Sequence, residues 1–104
     1  MTKSILSNER KCYRCGSTYL LHRHHVFAGG LRNKSEKYGC WVYLCQECHT
    51  GSRGVHTTTQ GMKYWRQLKA ECQKAFEKRH SHDLFMSEFQ RNWRNDENTE
   101  NIPY

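Results

Sequence analysis

Two short cysteine motifs constrain this chain more than any other feature. Cys12-x-x-Cys15, in "CYRCG", and Cys45-x-x-Cys48, in "CQEC", each carry two thiols on one tight turn, pointing the same way. Zinc takes four soft ligands in a tetrahedron, and two such turns supply them. The chain between the knuckles is longer than in many zinc ribbons and holds a strand and a loop. Four unrelated thiols, or a redox-active pair, are the competing readings, and the doubled motif favours zinc.

A metal staple suits the composition. The chain has 104 residues, only 36% of them hydrophobic, so it reads as one domain with a thin core. A mean hydropathy of -1.03 agrees. Small cores of this kind are commonly reinforced by disulfides or metal, and metal binding adds directly to folding free energy. The start, "MTKSILSNERK", lacks the apolar stretch of a signal peptide. No run approaches the roughly 20 apolar residues of a membrane span. The expected setting is therefore a cytoplasm, with no membrane partner, where paired cysteines mean metal or redox chemistry more often than disulfides. The net charge of +7, from 17 Lys and Arg against 10 Asp and Glu, favours a polyanionic partner, although ordinary solubility charge would look the same.

Residues 1–11 are polar and read as a flexible segment. Tyr19 to Phe27 and Cys40 to Leu44 read as strands, being rich in β-branched and aromatic residues. Leu31 to Gly39, "LRNKSEKYG", reads as a basic loop or short helical turn. The period then changes: Trp65, Leu68, Cys72, Ala75 and Phe76 recur at helical spacing, predicting a helix from about Gly61 to His80. The stripe of Trp65, Leu68, Cys72 and Phe76 reads as core. Ser81 can cap a second helix bearing Leu84, Phe85, Phe89 and Trp93. The tail 94–104 reads as disordered.

Three of the seven histidines crowd into "HRHHVF" as His22, His24 and His25. Neighbours on a strand face opposite ways, so His22 and His24 share one face and His25 takes the other. His49 follows the second knuckle directly, and His56 lies in "GVH". His80 and His82 flank a helix boundary and read as caps or surface residues.

Taken in order, "CYRCG", "HRHHVF" and "YLCQECHTGSRGVH" resemble an HNH endonuclease, a ββα-metal nuclease of the zinc-stabilised kind. "LKAECQKAFEKRHSHDLFMSEFQRNW" extends the likeness to small proteins of this family encoded in phages and prophages. The resemblance covers residues 12–93. It implies an α+β fold: a zinc-stabilised ββα-metal core with two additional C-terminal helices. It further implies a metal-dependent DNA endonuclease in a bacterial host cytoplasm, with a phage setting in which the packaging terminase is a possible partner. By position, His25 matches the general base. His24, His49 and His56 match ligands of a catalytic divalent ion (Mg2+, Mn2+, Ni2+ or Zn2+), and Cys12, Cys15, Cys45 and Cys48 match a structural Zn2+ site. The family's usual asparagine, which braces the loop through backbone hydrogen bonds, falls near Cys40 here; Asn33 is a candidate substitute. His22 reads as solvent-facing, or as the ligand in place of His24 if the register slips by two.

The chemistry is coherent on its own terms. Phosphodiester hydrolysis needs an activated water and a cation that offsets charge at the phosphate. Arg32, Lys34 and Lys37 would contact the DNA backbone, giving affinity with little sequence information. Two other functions fit the same residues: a DNA-binding module that has lost catalysis, and a phage accessory or inhibitor protein acting through protein contacts.

Overall fold

A computed structural model describes residues 2–94. The tail expectation beyond Arg94 lies outside the described residues. The fold is α+β. Strands β1 (Leu21–His25) and β2 (Trp41–Cys45) form a two-stranded antiparallel sheet, with His24 opposite Val42 and His25 opposite Trp41. Both strands are shorter than or offset from expectation. Leu20 takes a positive φ of 50°, which turns the chain before β1. Cys40 gives its N–H to Ser35 O, so β2 opens one residue later.

Between the strands, Gly29–Leu31 makes a 3-10 turn and leads into helix α1 (Arg32–Tyr38). The basic stretch is therefore a helix of two turns rather than a loop. Gly39 ends it at φ 74°, and a Cβ there would meet Lys3 O at 2.3 Å. That close approach reflects a docked N-terminus. The loose segment expected over residues 1–11 is corrected in part. Ile5 N–H bonds Gly39 O at 2.9 Å, Ser4 Oγ–H bonds Trp41 O at 2.5 Å, and Trp41 Nε1–H bonds Thr2 O at 2.9 Å. Ser4 is buried, and Ile5 and Leu6 pack against the core. Polar composition hid this because the anchoring groups are a serine hydroxyl and backbone amides.

After β2 comes a single helical turn, α2 (Gln46–His49), and then the long helix α3 (Thr59–Arg79) and shorter α4 (His82–Phe89). Both caps are side-chain oxygens: Thr58 Oγ1 accepts from Gly61 N–H at 2.9 Å, and Ser81 Oγ accepts from Leu84 N–H at 3.0 Å. Trp93 lies beyond α4, because Gln90 adopts a left-handed φ of 65° and ends the helix at Phe89. The two C-terminal helices close on the sheet through Phe27, Phe76, Phe85 and Phe89, all buried, with Phe27 and Phe89 ring centroids 4.6 Å apart. Burying a phenylalanine contributes about 1.5–3 kcal/mol, so this cluster fixes the end of β1 firmly. Leu68, Cys72 and Phe76 are core as expected, and Cys40, which had no assigned role, is buried beside Cys72. Among the described residues no helix is long and apolar enough to cross a membrane.

The first turn of α3 rests on the backbone of the preceding loop. A Cβ on Gly61 would lie 1.8 Å from Gly54 O. Rigid backbone leaves no room for relief, so Gly61→Ala should cost about 1–3 kcal/mol, as overpacking does. Thermal denaturation checks this, and an unchanged Tm would contradict the packing.

Candidate metal centre

Two clusters of metal-binding side chains stand side by side. In the first, the Sγ atoms of Cys12, Cys15, Cys45 and Cys48 all lie within 4.8 Å of one another. β2 delivers Cys45 at its end and α2 carries Cys48. The first knuckle is held to β2 by Tyr13 N–H to Tyr43 O at 2.8 Å, and it is closed by Gly16 N–H to Cys12 O at 2.8 Å. Cys15 N–H points at Cys12 Sγ, 3.5 Å away. Burial raises the Cys12 thiol, yet the N–H groups of Cys45, Cys15 and Arg14 outweigh it and bring it down to about 7. Burial, reinforced by neighbouring cysteines, pushes Cys48 up. Four thiols packed this tightly ionise together only around a cation, so the group can hold a metal such as zinc.

In the second cluster, one ring nitrogen from each of His24, His49 and His56 lies within the same 4.8 Å limit. His24 comes from β1 and His49 from α2. His56 is drawn in by two backbone bonds, Val55 N–H to Cys48 O at 3.0 Å and His56 N–H to His49 O at 3.2 Å. His24 is 2% exposed, and its Nε2 is the one buried side-chain nitrogen or oxygen among the described residues without a hydrogen-bond partner. A buried imidazole nitrogen left bare costs free energy unless something binds it. Three convergent imidazoles suit a divalent transition metal, so the residues present fit such an ion.

Electrostatics prepares these rings for ligation. Burial, with His49 and His56 adding to it, lowers His24 to about 3. Burial lowers His49 to about 4 and also lowers His56. All three are therefore shifted toward the neutral, ligating form, and His24 and His49 keep it well below the ordinary histidine range.

His22 is not part of the three-histidine group. Its Nδ1 lies 3.0 Å from Nδ1 of His49, beside the cluster. Of the two, His24 is the one whose ring nitrogen lies within 4.8 Å of those of both His49 and His56. Trp65 is half-buried and packs against the core cluster, and it also meets the histidines, its ring centroid 4.8 Å from those of both His24 and His56. Its Nε1–H bonds Val26 O at 2.8 Å.

His25 points to the other face of β1, as strand alternation requires. β1 is nonetheless an edge strand, and one cavity of about 360 Å³ is lined by residues from both faces: Arg23, His24, His25, Arg32, His49 and His56, with Ala28 and Gly29. Glu36, not singled out in the sequence, grips His25. Its Oε1 lies 2.9 Å from His25 Nε2, and its Oε2 accepts from Arg23 at 2.7 Å. Burial raises the Glu36 carboxyl, but these two partners outweigh it and hold it below its usual range. A carboxylate only accepts, so Nε2 of the neutral ring carries the hydrogen and Nδ1 is the basic atom.

The basic stretch divides. Arg32 lines the cavity. Lys34 bonds the Glu88 carbonyl and carboxylate, each at 3.1 Å, and Lys37 lies over the Tyr38 ring. Asn33 is exposed on α1. Ser35, two residues on and fully buried, braces the chain after β1: its Oγ–H donates to Phe27 O at 2.6 Å and its Oγ accepts from Phe27 N–H at 3.0 Å. Only its place two residues past Asn33 could have hinted at this.

No family model, curated protein or solved structure matches this chain.

The lowered histidine values set a pH dependence. The unfolded chain takes up these protons first, near pH 6.5, so their contribution to stability is full above that and declines as pH falls toward about 4 and then about 3. Between those limits metal uptake displaces few protons from His24 and His49. Co2+ affinity at this site, followed by visible absorption, should therefore change little from about pH 7.5 to 5.5. A tenfold loss per pH unit below 6.5 would contradict neutral ligands.

Proposed function

We propose that the protein is a metal-dependent endonuclease of the HNH type that hydrolyses DNA phosphodiesters. One observation carries the reading: three neutral imidazoles with an unpartnered His24 Nε2, and a carboxylate-paired His25, line the same cavity. A histidine base and a ligand cluster on one cavity are the two parts that phosphodiester hydrolysis requires.

In this reading His24, His49 and His56 would hold a divalent ion, which when bound offsets negative charge at the phosphate. His25 accepts the proton of the attacking water at Nδ1. Glu36 fixes the tautomer and ring orientation, and it stabilises the imidazolium that forms, as a buried carboxylate does for a histidine base elsewhere. Arg23 keeps Glu36 ionised. Arg32 orients the anionic substrate at the rim. Ser35 locks the chain just after β1, so His25 keeps its place. Imidazole ligands favour Ni2+ or Zn2+ over Mg2+ and Mn2+, which prefer oxygen.

Supercoiled plasmid incubated with each of these ions tests the proposal. Wild type should nick with at least one transition metal, and His25→Ala should be slower by about 10²–10⁴-fold. Glu36→Gln should fall between the two while keeping its metal content. Intact plasmid with wild type under every ion would refute the activity.

A further inference from the structure

The sheet face turned away from His24 carries Arg23, His25, Trp41 and Tyr43, since residues directly opposed across two strands share a face. Trp41 stands across from His25, and Tyr43 across from Arg23. Trp41 is 2% exposed, and the Arg23 guanidinium lies over its ring, 3.7 Å from the centroid. The same guanidinium donates to Glu36 Oε2 at 2.7 Å, and Glu36 Oε1 accepts from His25 Nε2–H at 2.9 Å. A chain of contacts thus runs from Trp41 through Arg23 and Glu36 to His25, each member touching the next.

Trp41 is the fixed end of that chain. Its Nε1–H bonds Thr2 O, its carbonyl accepts from Ser4 Oγ–H, and its ring meets Tyr43 edge-on at a centroid distance of 5.1 Å. Glu36 is less confined, because its side chain is 35% exposed and stands on the short helix α1. A free arginine has many rotamers, and a carboxylate tied to it would follow them. An indole face removes that freedom, because a guanidinium stacks on it and is held by cation–π attraction. Trp41 does not line the histidine cavity, so any effect it has on the reaction passes through its neighbours.

We propose that Trp41 is a positioning residue for the histidine base: its indole orients Arg23, which aligns the Glu36 carboxylate on which His25 rests. A buried tryptophan needs no cation in order to pack. The placement of this one under the arginine that holds the base's carboxylate carries the assignment. The docked N-terminus belongs to the same device, because Thr2 and Ser4 hold Trp41. The inference rests on the nuclease reading, in which His25 takes the proton of the attacking water.

Plasmid-nicking kinetics and NMR of the full chain test it together. Trp41→Leu and Trp41→Met both fill the space without a ring, and Trp41→Phe keeps a ring face. Measured below the Tm of each variant, the two ringless proteins should lose roughly 10- to 100-fold in kcat with KM nearly unchanged, as misplacement of a base does. Trp41→Phe should recover most of that rate. In a Glu36→Ala background, where the link is already broken, the ringless substitutions should cost no further rate. The His25 Nε2–H resonance, protected by Glu36, should persist in wild type and Trp41→Phe and be lost to solvent exchange in the ringless proteins. Losses that add in the Glu36→Ala background, or ringless proteins that retain the resonance, overturn the proposal; a tryptophan that only fills the core gives those results. A wild type that nicks while the losses add keeps the nuclease and loses the positioning role. One that never nicks, yet loses the resonance with the ring, keeps the ordering of His25 and loses the nuclease.

Discussion

A single helical turn connects the two clusters that could hold metal among the described residues. Cys48 and His49 are consecutive in α2, and each belongs to a different cluster. The carbonyls of the same two residues receive Val55 N–H and His56 N–H. One four-residue turn therefore sets a thiol of the cysteine group, the middle imidazole, and the position of the third. A turn that short has little stability of its own, since helix nucleation is costly. Its geometry must be imposed from outside, and a cation gripping Cys45 and Cys48 from one side is a direct way to impose it. The histidines are in this sense downstream of the cysteines.

The other half of the site hangs on α1 and the phenylalanine cluster. Ser35 and Glu36 are neighbours on that helix with separate tasks: Ser35 pins the backbone of Phe27, and Glu36 holds His25 and Arg23. Phe27 is at once the residue Ser35 grips and a member of the core shared with α3 and α4. The C-terminal helices thus hold the end of β1 on which His24 and His25 stand. The edge position of β1 lets these oppositely facing residues share a cavity.

The sequence made some of this legible, for identifiable reasons. Cysteine spacing is local chemistry, so both knuckles and their meeting could be read from residue order. The apolar period of α3, that of α4 as far as Phe89, and the cap at Ser81 follow from short-range rules and agree with the structure. The convergence of His24, His49 and His56 was reached through a resemblance; spacing alone left His22 in competition. What escaped was tertiary and polar. Glu36 looks like any solvated charge on a basic stretch until its distance to His25 is known. Ser35 looks like a helix surface residue until it is seen buried. Trp65 packs against the core, as an aromatic on an apolar stripe does, but its contacts with His24 and His56 carry no signal in the spacing. The N-terminus was misjudged because its anchors are a serine hydroxyl, backbone groups and the lone apolar pair Ile5 and Leu6, which leave a polar overall composition.

Two candidate metal sites of unequal rank thus share α2, the cysteine group shaping the turn and the histidine group using it. Metal analysis of wild type, Cys12→Ser and His49→Ala, read beside circular dichroism of each, tests it most directly. The account predicts that Cys12→Ser loses its zinc and its fold together, while His49→Ala stays folded and retains the zinc held by the four cysteines. Equal zinc loss from both variants would contradict it.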